Sequence, residues 1–125
     1  MFSKFRASQK TYFSFDIVEL YNSYQYAVIG EENAGFLAIG ALEAMACGCL
    51  LLAQPQYYKG LRLIDGVHYI SYNGSSEDLE LKIHQLNQMP LTQLQTMSTA
   101  AAQYAERYKP TENYASFISL IEKLR

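Results

Sequence analysis

The chain lacks tryptophan entirely and has only two cysteines, three prolines and no excess of either charge, and each scarcity closes off a class of protein. Cys47 and Cys49 flank Gly48 with no second ligand pair and no histidine beside them, so they do not make a metal site and read as small buried residues. The longest apolar runs, such as Cys49–Ala53, fall far short of the roughly 20 residues that cross a bilayer, so no membrane span is expected. The first residues show neither a continuous apolar stretch nor a small-residue cleavage site, which makes the cytoplasm the expected compartment. The net charge is -2 and the lysines and arginines are scattered, except for Lys4, Arg6 and Lys10. Such a surface gathers no polyanion, and nucleic acid is not an expected partner.

What is present is a foldable composition. Half of the 125 residues are apolar and 18% are charged, unlike a disordered chain, and the length suits one domain spanning residues 1–125.

The order of patterns along the chain is that of an α/β fold. Ile17, Leu20, Tyr21 and Tyr24 have helical spacing behind Asp16, a ready N-cap. Tyr26–Ile29 is a short β-prone block ended by Gly30, and Glu31–Gly40 reads as a loop. Ala41–Ala46 are helix formers, and Gly48 stands where a helix commonly needs a left-handed residue to stop. Leu50–Ala53 is a continuous apolar strand, and Val67–Tyr72 is expected to be the last one after a turn at Asp65-Gly66. Lys10–Phe15 is a candidate first strand. The alternation predicts a parallel sheet of three to four strands with flanking helices.

Three helices are expected to finish the chain. Asn73–Ser76 caps the first, with Glu77, Asp78 and Glu80 at its positive end and Leu79, Ile83 and Leu86 as its inner stripe. Pro90 ends it. Leu91, Leu94, Met97, Ala101, Tyr104 and Tyr108 mark the second, which Pro110 closes. The third, Glu112–Leu124, is expected to bury Tyr114, Phe117, Ile118 and Ile121.

In open parallel sheets, ligands sit at the carboxyl ends of the strands, and the loop Glu31–Gly40 falls there. Its backbone amides and the start of the next helix suit an anion, and Gly35 and Gly40 allow close approach to the backbone. Many α/β domains meet that description.

The residues themselves narrow it. The run GFLAIGALEAMACGCLLLA resembles the donor-binding signature of GT-B glycosyltransferases of the group 1, or family 4, type, which reads E-G-F-G-x-x-x-x-E-A-M-A-x-G. Glu43, Ala44, Met45, Ala46 and Gly48 match in register, while Gly35-Phe36 lies one residue early. Ile64-Asp65-Gly66 and the acidic helix Ser76–Gln88 resemble later parts of the family pattern in the same order, so the likeness runs from about Asp16 to the end of the chain.

The resemblance implies a partial Rossmann-like sheet and a site for a nucleotide-diphosphate sugar, with no further cofactor and no metal. Glu43 corresponds to the glutamate that holds the ribose hydroxyls, a task suited to a carboxylate, which accepts two hydrogen bonds from a vicinal diol. Gly35, Phe36, Leu37 and Gly40 correspond to backbone contacting the sugar and diphosphate. The family's first glutamate falls on Gly35, and Glu31 and Glu32 are the substitutes at hand.

The acceptor domain and the basic residues that neutralise the leaving diphosphate belong, in that family, to an upstream region. The resemblance therefore implies a truncated donor-binding half that is catalytically incomplete alone. Besides the nucleotide sugar, a homodimer or a separate amino-terminal domain protein is a candidate partner. The alternative is a non-catalytic interaction module that keeps the fold, its exposed sheet edge serving to dimerise or dock.

A plainer reading of the signature stands beside this one. Glu43 favours a helix dipole if it lies in the first turn, and Ala-Met-Ala-Cys-Gly packs a helix end. Lys59 and Arg62 follow the strand Leu50–Ala53, within reach of a diphosphate or merely solvated. Tyr57 and Tyr58 suit stacking or rim packing. His68 and His84 have no nucleophile or acid at recognisable spacing.

Overall fold

The computed structural model describes residues 16–30, 37–55 and 61–124. Along the chain, α1 (Ile17–Asn22) leads to β1 (Tyr26–Val28), α2 (Ile39–Ala46), β2 (Leu50–Ala53) and β3 (Ile70–Ser71), followed by α3 (Ser76–Asn87), α4 (Leu91–Glu106) and α5 (Pro110–Lys123). The three strands form one parallel sheet in the order β1-β2-β3, with Tyr26 opposite Leu50 and Leu52 opposite Ile70.

Four apolar residues in a row are satisfied only if both faces of their strand are covered, and β2 is at most 1% exposed throughout. Side chains alternate along a strand, so β2 feeds two cores. Leu51 and Ala53 pack with Ala41 and Met45 of α2, with Tyr69, and with Ala101, Tyr104 and Ala105 of α4. Leu50 and Leu52 pack with Leu86 of α3 and with Leu94 and Met97 of α4. Leu79 and Ile83 of α3 lie against this second core, as the predicted inner stripe requires.

A third cluster is built from small residues. Ala27, Ala44 and Cys49 meet beside Tyr21, which lets α2 lie close against β1 and β2. The Cys49 thiol lies within donating distance of the Tyr21 and Tyr24 carbonyls, at 3.1 and 3.3 Å, which ties it to the carboxyl end of α1 and the residues just after it. Burial, then the nearby Cys47, pushes that thiol's pKa up.

Caps fix the helix ends. Asp16 accepts from the Val18 and Glu19 amides, and Ser75 accepts from the Asp78 amide at 3.1 Å. At the end of α2, the Cys49 amide bonds to the Ala44 carbonyl and the Gly48 amide to the Met45 carbonyl, both at 3.0 Å, with Gly48 at φ +84°. This is the paired-bond termination in which a left-handed residue turns the chain. The Ser98 hydroxyl of α4 donates to the Gly48 carbonyl and ties the same turn to the next layer.

Four expectations shift. The last strand covers Ile70–Ser71 rather than Val67–Tyr72, because Ile64–His68 closes into a turn: the Val67 and His68 amides bond to the Ile64 carbonyl, and the Gly66 amide to the Tyr69 carbonyl. Helix α2 starts at Ile39, not Ala41, so Gly40 belongs to its first turn. Helix α5 starts at Pro110 rather than Glu112, since proline suits a first helical position where no amide is needed. Ile118 and Ile121 are 37% and 38% exposed instead of buried, because no layer of the described core lies against them. The side chains of Tyr114 and Phe117, like the candidate strand Lys10–Phe15, lie outside the described residues. No described helix is long and apolar enough to cross a membrane.

A Cβ at Gly48 meets only the Ser98 hydroxyl, at 3.6 Å, so the strain of adding one comes from φ alone. Gly48→Ala is expected to cost about 1–2 kcal/mol, seen as a midpoint of thermal unfolding a few degrees lower. An unchanged midpoint would show that this turn does not hold α2 to β2.

Candidate functional site

Because β1 and β2 are parallel and α2 connects them, the amino end of α2 lies at the carboxyl end of the sheet. Its N-cap, Ala38, offers no side-chain bond to the first amides. The residues of the matched run then separate by face. Ala41, Ala44 and Met45 are fully buried, and Gly48 makes the terminating turn. Glu43 is exposed, in the second turn of α2, beyond the stretch where a helix dipole favours a carboxylate. Among the described residues, no hydrogen bond or ion pair holds its side chain.

Glu43 lines a recess of about 340 Å³ between α2 and the end of α4, with Ile39 and Leu42 on one side and Ala105, Tyr108 and Lys109 on the other. That volume is at the small end of ligand sites, which run from roughly 300 to 1,000 Å³, and has room for one ring-sized group. The mixture is also that of a ligand site: apolar walls with a carboxylate, a phenol and an ammonium. A larger groove of about 440 Å³ follows the Thr92, Thr96, Thr99 and Gln103 face of α4 and is lined by no ionisable group among the described residues.

Behind the recess lies a polar network at the carboxyl end of α4. The buried Tyr104 donates its hydroxyl to the Leu61 carbonyl and lies 3.1 Å from the Tyr108 hydroxyl. Its ring is 5.0 Å from that of His68, and the Arg107 guanidinium is 5.8 Å from its centroid. Burial first, then the bond to Tyr108, raises the Tyr104 hydroxyl well above its ordinary range, so it remains a neutral phenol. Lys109, in the turn before α5, is ion-paired with Glu106.

The Ile64-Asp65-Gly66 segment is a tight knot beside this network. Asp65 accepts from the Ser71 amide at 2.8 Å and from the Ser71 hydroxyl, which fixes the start of the turn to β3. The Ile64 amide donates to Nδ1 of His68 at 3.1 Å, which requires Nδ1 to carry a lone pair. Arg62, next to the Leu61 carbonyl, is exposed and left-handed at φ 53°. His84, on the surface of α3, pairs with Gln88 at 3.0 Å.

The structure brings only part of the expected site together. Glu43 opens on the recess. Leu37 instead packs against the Leu51 core. At Gly40, a Cβ would lie 3.3 Å from the Tyr21 hydroxyl, so the missing side chain there makes room for Tyr21. Glu31, Glu32, Gly35, Phe36, Tyr57, Tyr58 and Lys59 lie outside the described residues. Tyr108 and Lys109 were not legible as site residues: Tyr108 continues the apolar stripe of α4, and nothing in sequence spacing links either residue to Glu43 across more than sixty positions. Among the described residues, no group of His, Cys, Asp and Glu is arranged to hold a metal.

Comparison with protein-family models, curated proteins and solved structures finds no match to this chain. The functional reading therefore rests on the residues and their geometry.

Burial, then the Arg107 charge, lowers the His68 pKa below its ordinary 6.5. The Tyr104 ring of α4 packs 5.0 Å from it, and Tyr104 is in turn hydrogen-bonded to Tyr108. The unfolded chain then binds the proton more readily, so the stability His68 contributes is complete above about pH 6.5 and is lost as pH falls through the lowered value. Thermal unfolding between pH 7.5 and 5 is expected to show a smaller acid-side loss for His68→Asn, which keeps an acceptor near Nδ1, than for the parent chain. Equal losses in both would remove His68 from the account.

Proposed function

We propose that this chain is the donor-binding part of a glycosyltransferase of the GT-B type, with a partial Rossmann-like sheet, and that it holds a nucleotide-diphosphate sugar at the recess beside α2. The observation that carries this reading is the division of labour within Ala41–Gly48. Every buried residue of the run has a packing task, and Glu43 is left exposed, unpaired among the described residues and open to a ring-sized recess. A carboxylate maintained there without structural use suits a vicinal diol, each oxygen accepting one hydroxyl. The amino end of α2 lies at the same edge of the sheet, where an anion is favoured. Lys109, paired with Glu106, also lines the rim.

On this reading the chain supplies the donor side only. Stabilising the charge that develops on a leaving diphosphate needs cations placed along its path, and an acceptor needs its own surface. Both tasks fall, on this reading, to a second doubly wound domain.

Titration calorimetry with UDP, GDP, ADP and their sugar conjugates tests it. At least one is expected to bind, and Glu43→Ala to weaken it by tenfold or more, since a charge-assisted bond is worth about 1.5–3 kcal/mol. Glu43 is exposed, so the variant should melt with the parent chain. Absence of binding by all of these compounds would refute the proposal.

One observation favours a second reading, a non-catalytic interaction module. Ile17, Val18 and Tyr24 around α1 and Val28 on β1 are between 41% and 63% exposed, more apolar side chain than one short helix and its strand ordinarily leave in water. A dimer in light scattering at micromolar concentration, together with no nucleotide binding, is the outcome expected of that module; a monomer excludes the homodimer.

A further inference from the structure

The hydrogen-bond chain behind the recess fixes a property of its rim that no single residue reveals. Tyr104 has one hydroxyl hydrogen, and it is committed to the Leu61 carbonyl, which can only accept. In the 3.1 Å pair with Tyr108, the Tyr104 oxygen must therefore be the acceptor and Tyr108 the donor. That uses the only hydrogen Tyr108 has, and its oxygen retains lone pairs alone. The Tyr104 hydroxyl is held neutral by burial, so the polarity does not reverse by ionisation near neutral pH. Glu43 across the recess is likewise a pure acceptor when ionised, and Lys109, the one ammonium on the rim among the described residues, is already paired with Glu106.

We infer that Tyr108 is a second specificity residue of the site: its oxygen accepts a hydrogen bond from a ribose hydroxyl while Glu43 accepts from the neighbouring one, so the recess reads hydroxyl donors and rejects groups that can only accept. Tyr104 acts through Tyr108 as a positioning residue, setting the direction of its bond. The inference rests on the nucleotide-sugar reading above and adds to it a residue and a sign: the site selects ribonucleotides over deoxyribonucleotides, and over analogues in which fluorine replaces a hydroxyl, because fluorine accepts weakly and cannot donate.

The experiment is calorimetric titration of the full chain with whichever of UDP, GDP and ADP binds, and with its 2′-deoxy, 2′-fluoro, 3′-deoxy and 3′-fluoro forms. In the parent chain, deoxy and fluoro forms at a contacted position are expected to lose affinity to the same extent, roughly 3- to 10-fold for one hydrogen bond. Tyr108→Phe keeps the ring, and is expected to weaken the ribonucleotide by that factor and leave one of the deoxy forms unchanged. Tyr104→Phe removes the acceptor from Tyr108, whose hydrogen is then free to turn to the ligand, and the fluoro penalty shrinks; this second variant decides the matter if Tyr108→Phe does not fold. Fluoro forms that bind the parent chain as tightly as the ribonucleotide, or a Tyr108→Phe variant that treats ribo and deoxy forms alike while Glu43→Ala loses binding, overturn the inference and leave the nucleotide reading standing. If no nucleoside diphosphate binds, both fall together.

Discussion

The rest of the structure depends on covering both faces of a four-residue strand. Leu50–Ala53 is almost wholly removed from water, and each of its three leucines contributes about 1.5–3 kcal/mol by that burial. Covering one face requires α2 close by, and the residues that permit it are small: Ala41 and Ala44 on the helix, Ala27 and Cys49 opposite. Covering the other requires α3 and the first half of α4. Because α4 serves both cores, its carboxyl end lies against α2, where Ala105 joins the cluster of Ala41 and Met45. The recess lined by Glu43, Tyr108 and Lys109 lies between α2 and that end of the chain's longest described helix. The candidate site is in this sense a by-product of how β2 is buried.

The same constraint explains why the matched run is such a mixed signal. A helix that must lie close to a sheet and then turn sharply into a buried strand needs small residues on its inner face and a left-handed glycine at its end. Ala41, Ala44, Met45 and Gly48 supply those whatever the protein does. Their agreement with a glycosyltransferase pattern is therefore compatible with packing alone. Glu43 differs in kind. It faces water, it lies past the helix turn where it would serve the dipole, and among the described residues nothing pairs with it.

Much of the scaffold was legible in the sequence, for identifiable reasons. The apolar run Cys49–Ala53 is bounded by Gly48 and Gln54 and could be little else than a buried strand. The start of α3 follows from Ser75 and the break between α3 and α4 from Pro90, whereas α4 ends at Glu106, ahead of Pro110, which opens α5 instead of closing α4. Illegible were features set by contacts between distant residues. The Ile64–His68 turn takes Val67 and His68 from an apparently alternating strand because His68 Nδ1 receives the Ile64 amide. The apolar stripe of α5 announces a face but not what lies against it, and Ile118 and Ile121 prove exposed. Tyr108 reads as one more residue of a helical stripe until the fold pairs its hydroxyl with that of Tyr104 and makes the residue part of the recess lining.

On the proposed reading, a nucleotide-diphosphate sugar occupies the space between α2 and the end of α4. Amide hydrogen exchange of the full chain, with and without a saturating nucleotide-diphosphate sugar, tests it most directly. Slower exchange confined to the segment from Ile39 to Ala46 and to the turn around Tyr108 and Lys109 is the predicted result, because a bound ring closes both sides of the recess at once. Protection that appears instead along the Thr92–Gln103 face of α4, or binding with no change at α2, would contradict the claim.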